Sequence, residues 1–469
     1  MKIFFGGIFV LSFVLYLVAP GYYSLGYCSL LLSIFIFSSI LFLRKTKGIT
    51  LFNFHMLFII SMFFVNFVYP VFLRPINIAY FPVFNLTFNE NIITKATALV
   101  QLGTSAYMLG AIIYNNKKIN HTTNNKIHEI SYNRLTQFLI FISYCLFIIF
   151  LLTVGSGFFK GVFSSYSSTS VYILIIFQPV LYLTTIVSVI NMKRKSSMSF
   201  ISYLNSFKMA LKILFLFFIL SFLFVGDRGP VLYLLIIILG LYSYLIKPLK
   251  LRTLLPLLIL GMFIMTFISH SRTTDSQQSA SNLKEYIDTG KNRMNLNSFF
   301  DLGMDLIVNN RNLYFGMDYV DKYGINYGKT MVLYPLSIIP GLQGFIVKIT
   351  GVNSQSLSTA HIITTETFEK RKGWGLGTNL IVDIYMAFGT FGVVVLMFIL
   401  GFFIQKLQNL FIAKQTSELT ILYMIMLSLA IYLPRAEFLH PIRPLVWSYI
   451  SFIALKSLPI FKMTRKTLI

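Results

Sequence analysis

The sequence predicts an all-α, polytopic membrane bundle, and three observations predict it. Of 469 residues, 56% are hydrophobic and 12% charged, with 48 Phe and 27 Tyr, a composition that a soluble domain of this size would not tolerate. Apolar blocks of about 17–25 residues recur along the chain, the length an α-helix needs to cross about 30 Å of hydrocarbon; barrel strands would instead alternate over about ten residues. The basic residues gather in alternate connections between those blocks.

The first block, from Ile3, follows only Lys2 and lacks a convincing small-residue cleavage site, so it is expected to be a retained span rather than a signal peptide. Spans are expected near 3–19, 24–43, 51–73, 93–114, 135–153, 170–190, 207–225, 230–246, 253–269, 379–404, 418–433 and 443–459. With a cytoplasmic N-terminus, the inner connections hold groups such as Arg44, Lys45 and Lys47, then Lys193, Arg194 and Lys195, and finally Lys462, Arg465 and Lys466. The short outer turns carry only Arg74, Lys95, Lys160, Arg228, Arg435 and Arg443. The positive-inside rule is satisfied at every loop by twelve spans with both termini cytoplasmic. The formal charge of +24 then reads as topology signal and attraction to anionic lipid, and a nucleic-acid partner is not expected.

Three regions follow: spans one to nine over 1–269, a large outer loop over 270–378, and spans ten to twelve over 379–469. The loop is too long for an ordinary connector and is expected to carry short helices, one of them capped by Ser298. Met331 to Ile349 is apolar enough to imitate a span, but Pro335, Pro340, Gly341 and Gly344 interrupt it, so an interfacial or re-entrant path is expected. No fixed-period repeat is visible and the halves do not mirror one another, which weighs against a symmetric carrier. Cys28 and Cys145 lie inside apolar runs, and the histidines show no ligand spacing, so no disulfide framework, protein-held metal or cofactor is expected.

The candidate site is organised around Gly226-Asp227-Arg228-Gly229-Pro230, a charged elbow between two apolar runs. A turn this short cannot lift Arg228 into bulk water, so the charge marks a functional contact. A second turn, Pro434 to Pro444, packs Arg435, Glu437, His440 and Arg443 between three prolines, which restrict the backbone and favour preorganised charge. A third stretch, Gly373 to Asn379, runs into Asp383 and Tyr385; without Gly-Lys-Ser/Thr it is not a nucleotide loop. Arginines grip phosphate oxygens in bidentate fashion at any relevant pH, so this face is suited to a polyprenyl diphosphate.

The candidate catalytic residues are Arg228, Arg435, Glu437, His440, Arg443 and Asp383. Asp227, Arg272, Arg293, Arg371, Gly375, Gly377, Asn379 and Tyr385 are candidates for substrate binding. Glu437 could equally pair with a neighbouring arginine, and Arg293, Arg311 and Arg371 could be surface or salt-bridged charges. The general base is left open among Glu437, His440, Asp383 and Asp227.

The elbow, the large loop, the arginine-bearing turn and Gly375-x-Gly377-Thr378-Asn379-x3-Asp383-x-Tyr385-x2-Phe388-Gly389-x2-Gly392 together resemble the Wzy-type O-antigen polymerases. Where that family often has a glutamate, this chain has Asp383. The resemblance implies a glycosyltransferase-C-like architecture in the bacterial inner membrane. It also implies undecaprenyl-diphosphate-linked oligosaccharide substrates at the periplasmic face, and a Wzz-type co-polymerase as partner. An O-antigen ligase, or a flippase or other transporter, is the alternative.

Overall fold

The computed structural model describes residues 1–46, 48–86, 88–115, 133–154, 168–192, 198–225, 227, 229–250, 299–339, 341–351, 354–368 and 375–458, with single positions between 252 and 263. All regular structure among these residues is helical. The apolar blocks become α1 (Lys2–Leu17), α2 (Leu25–Thr46), α3 (Phe54–Asn66), α4 (Ile93–Asn115), α5 (Asn133–Val154) and α6 (Ser168–Ile190). A short α7 (Phe200–Asn205) precedes α8 (Met209–Val225) and α9 (Gly229–Leu245). Among the described residues, five helices are long and apolar enough to cross a membrane: α2, α4 with the turn before it, α5, α6 and the helix that starts at Leu380. Shorter apolar helices include α1, α3, α8 and α9. Most of the span expected at 253–269, together with Ser298 and the terminal Lys462-to-Lys466 cluster, lies outside the described residues.

The described part of the expected loop holds small elements that fold back on the bundle: α10 (Met304–Ile307), α11 (Asn310–Tyr323), α12 (Leu333–Leu336), α13 (Leu342–Thr350) and α14 (Thr359–Thr367). The apolar run from Met331 is therefore broken into pieces too short to span. The chain ends in α15 (Leu380–Lys414), α16 (Ser417–Leu429) and α17 (Ile442–Ser457).

α4 forms the centre of the bundle, with 89% of its apolar window buried. It packs on α15, α1 and α2, and the contact with α15 depends on two glycines. A Cβ on Gly110 would lie 2.1 Å from the Phe398 carbonyl oxygen, and one on Gly401 would lie 1.9 Å from that of Tyr107. Small residues let the two backbones touch where lipid offers no hydrophobic drive for association. Cys28 is fully buried in the packed interior, and His55 Nδ1 is 2.6 Å from the Tyr107 hydroxyl.

α15 is 35 residues long, about 52 Å at the helical rise, more than the hydrocarbon requires. Gly389 breaks it with φ 65° and ψ −161°, a conformation open to glycine. The break frees carbonyls that the following turn would have used. Asn326 N–H donates to Met386 O at 2.8 Å and Gly328 N–H to Ala387 O at 3.2 Å, so the loop after α11 satisfies them.

Candidate active site

A proline sets one wall of the site. Pro179 lies inside α6 and cannot return a hydrogen bond to the carbonyl one turn earlier, so the helix is weakened there. Ile175, Gln178, Pro179 and Tyr182 of α6 line a cavity of about 100 Å³, closed by Tyr233 of α9, three residues of α16, Tyr334 of α12, and His440, Arg443 and Pro444. Pockets for drug-sized ligands hold about 300–1,000 Å³, so this one suits a phosphate-sized group and an oligosaccharide would have to lie outside it.

Arg443 stands in the first turn of α17, where a cation is unfavourable to the helix dipole and needs another reason to be present. Its Nε and Nη2 both donate to Ser337 Oγ, at 3.2 and 2.7 Å. His440 is half-buried, with its ring 5.2 Å from that of Tyr432, and edge-on to Tyr334 at 5.8 Å. Its Nδ1 lies 3.4 Å from the Tyr334 hydroxyl. Burial, helped by the charge of Arg443, pulls the His440 imidazole down to about 4, which leaves it neutral at pH 7. Burial and then the Glu437 carboxylate push the Tyr334 phenol well up, so it keeps its proton.

The elbow reaches the same cavity. Tyr182 donates from its hydroxyl to Pro230 O at 3.3 Å, and Asp227 bears electrostatically on both Tyr182 and Tyr233. Tyr233 meets the Tyr432 ring edge-on at 5.6 Å. Arg435 lies 5.2 Å over Tyr432 and donates from Nη1 to Asp305 O at 3.0 Å. Arg228 itself lies outside the described residues, as do Arg272, Arg293 and Arg371.

Two buried carboxylates hold the 434–444 turn in place. Asp383 Oδ2 accepts from Phe438 N–H at 2.8 Å and Oδ1 accepts from the Thr359 hydroxyl at 2.5 Å. Glu437 Oε1 accepts from the Ser358 hydroxyl at 2.6 Å and from Ala360 N–H at 3.1 Å. Ser358 caps α14, so Glu437 sits at the positive end of that helix. The alternative of an ion pair between Glu437 and Arg435 or Arg443 is not what the structure contains: the carboxylate bonds to α14, and the guanidinia bond to oxygens elsewhere.

The described part of the glycine-rich stretch, residues 375–379, does not line the cavity. Asn379 is fully buried, caps α15 by accepting from Ile381 N–H at 2.9 Å, and donates to Asn66 Oδ1 at 2.8 Å. Leu376, between Gly375 and Gly377, is tied by Thr364 and Asn312. Tyr385 lies against Tyr16 of α1, on another side of α15. Arg311, for which a surface charge was one of the alternatives, is fully buried; it donates to Thr367 Oγ1 at 3.0 Å, and burial lowers its pKa to about 10.

A family model described as O-antigen polysaccharide polymerase Wzy matches residues 1–466. The chain belongs to that family. It is a membrane-embedded enzyme that polymerises lipid-linked oligosaccharide repeat units into O-antigen polysaccharide, as the resemblance implied. No curated protein and no solved structure matches the chain. Among the described residues of this polymerase, no group of three His, Cys, Asp or Glu is placed to hold a metal ion.

Sequence reasoning missed Tyr334, Ser337 and the tyrosines of α6 and α9, because they come from separate elements and share no spacing. It also missed Ser358 and Thr359, for which a signal existed: adjacent hydroxyl residues at the start of a short helical pattern read as a cap.

Proposed function

We propose that the Arg443–His440 cavity is where this polymerase holds the diphosphate of its lipid-linked donor and activates the acceptor sugar. The observation that carries this reading is the convergence of a cation, a neutral imidazole and three tyrosines on one small cavity between membrane helices. Arg443 offers its fork to phosphate oxygens, and Arg435 adds positive potential through Tyr432. Arg228 belongs to the set on sequence grounds, since its neighbours Asp227 and Gly229 stand beside Tyr233.

In the reaction, the bond between the anomeric carbon of the growing chain and the diphosphate oxygen breaks. Undecaprenyl diphosphate departs with that electron pair, and the arginines stabilise the charge as it develops. A hydroxyl on the non-reducing-end sugar of the new lipid-linked repeat attacks the anomeric carbon. Its proton passes to His440 Nε2, whose lone pair is available when Nδ1 carries its proton toward the Tyr334 oxygen. Asp383 and Glu437 act as positioning residues that fix the turn bearing His440 and Arg443. Asn379, Gly375, Gly377 and Tyr385 serve the framework, and Arg272, Arg293 and Arg371 contribute to the outer electropositive face.

The finer membrane arrangement is part of the same reading. Twelve spans in a glycosyltransferase-C-like bundle place this site at the periplasmic face of the inner membrane, with spans over 1–269 and 379–469, the loop over 270–378 between them, and both termini cytoplasmic. The shorter helices α1, α3, α8, α9, α16 and α17 coincide with expected spans and, with the five long helices, account for eleven of the twelve. A Wzz-type co-polymerase would set chain length.

The test is the glycan ladder of a host lacking this gene, complemented with wild type, Arg443→Ala or Arg228→Ala, each variant confirmed in the membrane. The reading expects core capped by a single repeat in the deletion, a restored ladder with wild type, and none with either variant. Complete absence of capping in the deletion would point to a ligase or flippase. A normal ladder from Arg443→Ala would remove the cavity from the chemistry.

A further inference from the structure

α13 carries Leu342, Phe345, Ile346 and Ile349 at i, i+3, i+4 and i+7, the spacing that puts four apolar side chains on one stripe. A helix of a folded protein normally buries such a stripe, but no residue of α13 is buried; Phe345 is 62% exposed and Ile349 67%. The helix is held close to α17, which the twelve-span reading above makes the last span. α12, just before it, packs on α17, and Trp447 of α17 donates from Nε1 to Ile338 O at 3.0 Å. With α17 read as a span, its exposed Ile450 and Ile453 face lipid, and the stripe of α13 continues that apolar surface. Lys348, in the last turn, has the reach to place its charge among lipid phosphates.

α12 and the residues just after it also form the roof of the cavity. Tyr334 covers His440, and Ser337 takes both hydrogen bonds from Arg443. A serine hydroxyl is a neutral acceptor, whereas a phosphate oxygen is a charged one that fits the same fork more strongly.

We propose that the apolar stripe of α13 docks into the bilayer beside α17, and that this contact seats Tyr334 and Ser337 over Arg443 and His440. Ser337 then holds the guanidinium until a lipid-borne diphosphate displaces it. The second half of the proposal rests on the role given above to the cavity; the first half does not.

The test uses the full-length protein in nanodiscs of phosphatidylethanolamine and phosphatidylglycerol. Cys145→Ser removes the partly exposed thiol, and the fully buried Cys28 is kept. Single cysteines at Phe345, Ile349, Gln343 and Thr350 receive nitroxide labels, and their power saturation is compared with oxygen and with an aqueous nickel chelate. Labels at Phe345 and Ile349 are expected to favour oxygen, and those at Gln343 and Thr350 the chelate. Equal access of all four to the chelate overturns the docking, as does shielding of Phe345 and Ile349 from both relaxants, which would mean a protein partner covers the stripe.

In the same nanodiscs, Phe345→Ser/Ile349→Ser is expected to raise KM for the lipid-linked repeat by about tenfold or more, from the apolar burial it removes. A lipid-like depth profile with unchanged kinetics would overturn the roof while the bilayer contact stands. Full activity of Arg443→Ala would instead remove the cavity reading and leave the depth result as measured.

Discussion

Two stretches of this chain look alike on paper and behave oppositely in the fold. Gly375 to Asn379 and Pro434 to Pro444 are both short, punctuated by glycine or proline, rich in polar groups and set against membrane helices. In the first, the Asn379 amide is used on both sides within the protein, by Ile381 and Asn66, and what is left over is one neutral hydroxyl, that of the buried Thr378. In the second, the backbone is held by Asp383 and Glu437, while Arg443 and His440 face a cavity with only a serine hydroxyl and a phenol as polar partners. Glycine or proline content shows that a backbone is constrained. It does not show whether side chains are left over for a ligand, and that remainder is what distinguishes a site from a joint.

The comparison is broken most severely at Arg443. Arg443→Ala is expected to lower the polymerisation rate about 10²–10³-fold, the scale of losing one preorganised charge contact, and Arg443→Lys to restore little because the bidentate fork is gone. Rates on purified lipid-linked repeat check both. His440→Gln is expected to lower kcat about 10²-fold or more as the proton acceptor is removed.

The pH profile sharpens that second expectation. The folded His440 ring titrates near 4, below its ordinary 6.5, so it stays neutral as pH falls through 6.5 and is protonated only near 4. Wild-type kcat/KM should therefore hold from neutral pH downward and fall only as pH passes about 4, with that limb absent in His440→Gln. A limb at the ordinary imidazole value would contradict a base held neutral. The sign for stability is the same: the depressed value makes this ring's contribution full above 6.5 and progressively lost as pH falls toward 4.

Smaller effects come from the frame. Asp383→Asn leaves either Phe438 N–H or the Thr359 hydroxyl without a good acceptor, at about 1–3 kcal/mol of stability. It should lower both the melting temperature and kcat, with KM for the lipid-linked repeat close to wild type. Asn379→Ala should cost about 1 kcal/mol through the lost cap and leave the kinetics near wild type, as thermal melts and initial rates would show. Gly375→Ala is expected to be nearly silent, since its Cβ would meet nothing nearer than Thr364 Oγ1 at 3.5 Å. A large kinetic effect at Gly375 or Asn379 would return that stretch to the ligand.

Much of the helical framework was legible because membrane helices are written in length and apolarity, both local properties. Residues 24–43, 93–114, 135–153 and 170–190 fall inside or nearly on α2, α4, α5 and α6. The 434–444 turn was legible for a different reason: charges at the mouth of a span with no loop to carry them away are costly enough to stand out. The partners of those charges were not legible. Ser337 lies 106 positions from Arg443, and Thr359 lies 24 from Asp383, in elements whose spacing carries no common period. Arg311 misled because a cation in a long loop is ordinarily solvated, and only packing could show it fully buried.

The most direct measurement is the affinity of the purified protein, in nanodiscs, for undecaprenyl diphosphate, compared among wild type, Arg443→Gln and Asn379→Ala. The account predicts that Arg443→Gln loses at least about tenfold, as expected for a charged hydrogen-bonding partner, while Asn379→Ala binds as wild type does. Wild-type affinity in Arg443→Gln, or a loss confined to Asn379→Ala, would contradict it and move the diphosphate to the glycine-rich stretch.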